Sequence, residues 1–128
     1  MCFRKTLLPL VVVTGVTGCG QHPRLDVSVS IVDGRVAFDI PRRDVNGLLA
    51  FRVENANGTI LWHIEMNYEK RRQIIYGVLP ASGKQTVPSD GSVPADIRGR
   101  EVRVRVEYQY DEFAAPSAGE FVKTVQVP

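Results

Sequence analysis

The chain has 128 residues, 44% of them apolar and 23% charged, a balance that suits one domain with a buried core and excludes a disordered or collagen-like polymer. Its formal net charge of +2 comes entirely from Arg4 and Lys5, because the remainder carries 14 basic and 14 acidic residues; the charge balance gives no ground for a nucleic-acid partner. Both cysteines, Cys2 and Cys19, stand near the start, so the rest of the chain must be held by an apolar core and hydrogen-bonded sheets, without a disulfide.

Arg4 and Lys5 precede an uncharged, largely apolar run from Thr6 to Val16. A positive start followed by a short apolar stretch is the pattern of a secretory signal peptide. Crossing a bilayer takes about 20 apolar residues. This run is shorter and is weakened as a helix by Pro9 and Gly15. It ends in Val16-Thr17-Gly18-Cys19, which resembles the lipobox of bacterial lipoproteins: an aliphatic residue, a small one, Gly or Ala, then Cys. The resemblance implies cleavage between Gly18 and Cys19, a diacylglyceryl group on the Cys19 thiol, and acylation of the freed amine. Each buried CH₂ contributes about 0.8 kcal/mol, so two or three chains make a lasting anchor. Gly20 stands where retention at the inner membrane usually has Asp, which implies the outer membrane, facing the periplasm, in a Gram-negative source. Residues 1–18 are therefore expected to be the signal peptide and 19–24 a lipidated Cys with a short tether. Six tether residues reach about 20 Å, so the domain at 25–128 should sit close to the membrane.

From Leu25 the pattern has period two. Leu25, Val27, Val29 and Ile31 alternate with Asp26, Ser28 and Ser30, as on a half-buried strand. Asp33-Gly34 is a hairpin turn, after which Val36, Phe38 and Ile40 mark a second strand that Pro41 ends. Leu48 to Glu54 reads as a third strand. Asn57-Gly58 gives a second hairpin signal. Thr59 to Met66 is a fourth strand, with Ile60, Trp62 and Ile64 on one face and Leu61, His63 and Glu65 on the other. Gln73 to Leu79 is the fifth. The segment from Pro80 to Pro94 reads as a long loop with a short pairing near Gln85–Val87. In Glu101 to Tyr110, Val102, Val104, Val106, Tyr108 and Tyr110 alternate with polar residues as the sixth main strand. Asp111 to Gly119 is expected to be a loop, and Glu120 to Val127 the last strand.

About seven short strands separated by turn signals resemble an all-β sandwich of immunoglobulin or fibronectin type III character, over roughly residues 25 to 127. The single Trp62 on a middle strand and the final hairpin-like pair fit that likeness. Val102 stands where fibronectin type III domains usually place a Tyr. The chain as a whole resembles small bacterial lipoproteins carrying such a domain, a likeness that brings no activity with it.

Chemistry-bearing patterns are sparse. His63 and Glu65 share a face, with Glu69 nearby, but zinc needs at least three well-placed ligands and the second histidine, His22, lies in the tether. No G-x-S-x-G, P-loop, dinucleotide fingerprint or cysteine nucleophile is present. The sequence therefore points to no catalytic residue, metal or cofactor, and to a protein other than an enzyme. Arg103 and Arg105, bracketed by Glu101 and Glu107, read as cross-strand pairing on a solvated face. Lys70-Arg71-Arg72 could meet lipid headgroups or an acidic partner. In the loop from Asp111, Phe113 beside Tyr110 and Pro116 is the candidate protein-binding feature, because an aromatic at a loop tip can anchor a partner's pocket. The expected role is a membrane-anchored envelope lipoprotein with a non-catalytic binding or assembly domain. Its expected partners are the membrane, through lipid, and another envelope protein. The alternatives are a periplasmic inhibitor or immunity lipoprotein, and an accessory lipoprotein of a secretion system.

Overall fold

The computed structural model describes residues 25–41, 45–112 and 115–128. The expected signal peptide, Cys19 and the expected tether lie outside them. The described residues contain eight strands and no helix: β1 (Ser28–Val32), β2 (Arg35–Asp39), β3 (Val45–Glu54), β4 (Ile60–Glu69), β5 (Gln73–Ile75), β6 (Lys84–Val87), β7 (Glu101–Glu112) and β8 (Ala115–Gln126). They form a three-stranded sheet in the order β1-β2-β5 and a five-stranded sheet in the order β6-β4-β3-β7-β8, antiparallel throughout. This is an all-β fold with the two-layer arrangement of a β-sandwich, as the alternation of apolar and polar residues implies.

The layers meet through one core. Val36, Phe38 and Ile74 from the small sheet and Leu48, Phe51, Val53, Trp62, Ile64, Val102, Val104 and Val106 from the large sheet belong to a single buried cluster. Four aromatic rings run through it. Phe38 meets Phe51 across the sheets at 5.2 Å between centroids, Phe51 meets Trp62 edge-on at 6.1 Å, and Trp62 meets Tyr76 edge-on at 5.4 Å. Such tilted contacts suit the ring quadrupoles and add to what burial contributes. The indole N–H of buried Trp62 donates to Gln85 Oε1 on β6 (2.9 Å), and Gln85 Nε2 donates in turn to the carbonyls of Pro88 and Ser92. One side chain thus satisfies the core indole and pins the loop after β6.

Three expectations change. The fifth strand ends at Ile75 rather than Leu79, because Gly77 takes a positive φ of 80° and turns the chain away. The short pairing foreseen at 85–87 is a true edge strand on β4. The loop expected from Asp111 to Gly119 is strand at every described position: β7 and β8 stay paired from Glu101↔Gln126 to Glu112↔Ala115. Small residues from Ala115 to Gly119 conceal the strand from a period-two reading, since Ala, Pro, Ser and Gly give no apolar alternation. Gly119 is required there by contact. A Cβ at that position would lie 2.6 Å from Tyr108 Cζ, so the tyrosine ring occupies the room a side chain would need.

The two hairpin signals resolve differently. Asp33 and Gly34 both have positive φ (51° and 76°), the type I′ turn that a two-residue loop requires. The loop around Asn57-Gly58 is wider. Asn55 organises it, its Oδ1 accepting from the amides of Asn57 and Thr59.

Candidate functional site

The outer face of the five-stranded sheet carries an ionic network. Arg52 on β3 lies directly opposite Arg105 on β7, and Glu54 lies opposite Arg103. The Glu54 carboxylate, only 7% exposed, stands 2.9 Å from Arg52 Nε, 3.4 Å from Arg103 Nη1 and 3.7 Å from Arg105 Nε. The Nε–H groups of Arg52 and Arg105 are buried and form no hydrogen bond, so their attraction to Glu54 is Coulombic rather than directional. Arg105 also pairs with Glu120 on β8 at 3.0 Å. The arginines first read as cross-strand pairing do pair, with Glu54 as their hub. His63 bonds Thr86 on the neighbouring β6, and among the described residues no group of His, Cys, Asp and Glu is arranged to hold a metal ion.

The residues singled out for binding part company. Tyr110 ends the alternation expected on the sixth strand: it is 4% exposed on the inward face of β7, its ring 5.8 Å from that of Tyr108, so it is core and not the contact residue expected beside Phe113. Pro116 is exposed on β8, opposite Asp111. Phe113, like Gly18 and Cys19, lies outside the described residues.

A concave site lies elsewhere. A pocket of about 260 Å³ is walled by Gly34, Arg35 and Val36 from the β1–β2 hairpin, Tyr76 just after β5, and Val93, Pro94, Asp96 and Arg98 from the segment leading to β7. The hairpin turn brings Arg35 to its edge. The pairing of Tyr76 N–H with Val36 O (2.9 Å) sets the back wall. Tyr76 Oη donates to Ala95 O at 2.7 Å and so holds the 93–98 segment against the sandwich. Burial, with the charge of Asp96 as a smaller contribution, pushes the Tyr76 phenol up to about 12, and it stays protonated. Asp96 is gripped by Arg98 in two near-parallel bonds of 3.0 Å, which with the Arg98 amide bring its carboxyl down to about 2.

The rim is apolar and open. Val93 is 85% exposed, and Ile31 and Val32, the cross-strand partners of Val36 and Arg35, are exposed too. No ion pair or hydrogen bond engages Arg35 among the described residues. Sequence reasoning missed Arg35, Tyr76, Val93, Pro94, Asp96 and Arg98 as a group, because they come from three segments that only the fold brings together. The one local signal was an apolar Val93 between Ser92 and Pro94 in a polar loop. No protein-family model, curated protein or solved structure matches the chain.

Proposed function

We propose that the chain is an envelope lipoprotein, held to the membrane by lipid on Cys19, whose sandwich is a non-catalytic module that binds another envelope protein. The location rests on Val16-Thr17-Gly18-Cys19 behind a short apolar leader. The binding half is carried by one observation: Val93, a branched aliphatic side chain almost fully in water at the mouth of a pocket. Exposed aliphatics at a concavity are how partner surfaces present themselves. The polar groups around it are already committed, Tyr76 to Ala95 and Asp96 to Arg98, which suits recognition better than proton or group transfer.

The immunoglobulin and fibronectin type III likeness belongs to the same proposal. Naming β1, β2 and β5 as strands A, B and E, and β3, β7 and β8 as C, F and G, supports the likeness, with β4 beside C as in variable-type domains and no described strand in the place of D. The departures are the added edge strand β6, the place of Trp62 on the C′-like strand rather than on C, and the missing tyrosine where Val102 stands. Domains of this architecture commonly bind through the loops at one end.

Two measurements test the proposal. Metabolic labelling with palmitate should mark the wild type and leave Cys19→Ser unlabelled and released from membranes; labelling that survives the substitution would refute the anchor. A photo-crosslinking residue at position 93 should give one discrete adduct in intact cells, while the same residue at position 107, on the outer face of the large sheet, should give none. Equal adducts at both positions would refute a partner site at this end.

A further inference from the structure

The pocket is small for a metabolite, falling below the roughly 300 Å³ at which small-molecule sites usually begin. It has room for about one amino-acid residue. Its walls offer two different things. Val36, Pro94 and Val93 supply apolar surface, and Arg35 supplies a cation engaged by no other described group. The second arginine, Arg98, is neutralised by Asp96, so the pocket carries a net positive charge from Arg35 alone. A chain-terminal residue with an aliphatic side chain satisfies both at once, since its carboxylate and its side chain share one carbon.

We infer that this pocket captures the C-terminal aliphatic residue of a partner protein, its α-carboxylate on Arg35 and its side chain against Val36, Val93 and Pro94. Carboxylate capture at a chain end is a recurring recognition mode, and Arg meets a carboxylate with paired N–H donors. The pocket is placed for it. The hairpin turn lies about 14 Å beyond the start of β1, at the end of that strand remote from the tether, so an anchored domain would offer it away from the membrane. The inference deepens the proposed binding role and rests on that reading for its direction, though the chemistry of the pocket stands without the anchor.

The test uses the full chain isolated from its membranes in detergent, with backbone amide shifts followed during titration with N-acetyl-L-leucine and, separately, N-acetyl-L-leucinamide. The acid should shift the amides of residues 34–36, 76, 93 and 95–98 and saturate in the millimolar range. The amide should bind roughly tenfold more weakly, as expected for loss of a charge-assisted bond. Arg35→Gln should weaken the acid by a similar factor and leave the amide unchanged; Val93→Ser should weaken both. Arg71→Gln, outside the pocket, should alter neither. Equal binding of acid and amide, or shifts absent from those residues, would overturn the inference. Mass analysis of the Cys19 peptide from the same preparation separates the two readings. An unmodified Cys19 with the pocket shifts intact removes the anchor alone, and a lipidated Cys19 without shifts removes the pocket alone.

Discussion

At Glu54, a carboxylate on the nominally solvent-facing side of the large sheet is covered by three arginine side chains. Arg52 and Arg105 face each other across β3 and β7, and among the described residues Glu54 and Glu120 offset their repulsion. Glu54→Gln keeps the shape and removes the charge, so it should destabilise the fold by about 1–3 kcal/mol, less than for a fully buried pair because the arginines still reach water. Urea unfolding at two ionic strengths checks this. The variant should recover stability as salt rises, since screening weakens the exposed repulsion. The arginine stripe could be read from the strand pattern at 101–110. The role of Glu54 could not, because an outward position on one strand says nothing of what the neighbouring strands fold over it.

Among the elements, β6 and the last hairpin show how short-range signals mislead. Gln85 was legible only as part of a short pairing, yet it closes the hydrogen bond of the one core indole and ties down the segment to Ser92. Gln85→Leu strands a buried N–H, and the expected cost is about 1–3 kcal/mol. Intrinsic tryptophan emission should report the loosened environment before global unfolding, and an unchanged melting temperature would contradict the bond's role. In the β7–β8 hairpin, Tyr108 lies over Gly119. Gly119→Ala should cost about 1 kcal/mol by pushing that ring from its seat. A double variant that also carries Tyr108→Ala should show coupling, because the second change removes the clash. Strand β8 also carries an inward-pointing lysine: Lys123 Nζ reaches Asp26 Oδ1 (2.8 Å) and Val27 O (3.0 Å). A charge turned inward on a sheet edge discourages strand addition by another chain.

Across the whole molecule, pH dependence follows from groups at opposite ends of the scale. Asp26 is held below the usual carboxylate range, first by its bond from Lys123 and then by the Val27 amide. Asp96 is brought down to about 2, first by Arg98. Both depressed values mean that the native state keeps its charge while the unfolded chain takes up protons. Both contributions are complete above about pH 4; that of Asp96 is lost as pH falls toward 2, and that of Asp26 as pH falls through its own depressed value. Tyr76 acts in the opposite sense. Raised to about 12, it stays protonated in the fold while the unfolded phenol ionises near 10, so its contribution is complete below about pH 10 and fades as pH approaches 12. Thermal unfolding across pH should therefore give a plateau with two shoulders. Asp26→Asn should flatten the acid shoulder and Tyr76→Phe the alkaline one, and unchanged profiles would refute these assignments.

The sequence by itself determined the all-β character, the inward faces of β2, β4 and β7 and the Asp33-Gly34 turn, because alternation and turn chemistry act over a few residues. The proposed leader and lipidation at Cys19 rest on local patterns as well, which need no fold. Tertiary structure alone decided that the small residues from 115 onward form a strand and that Arg35, Tyr76 and Val93 share one pocket. The reason is sequence distance: those contacts join segments tens of residues apart, and their closeness is fixed only when the two sheets pack.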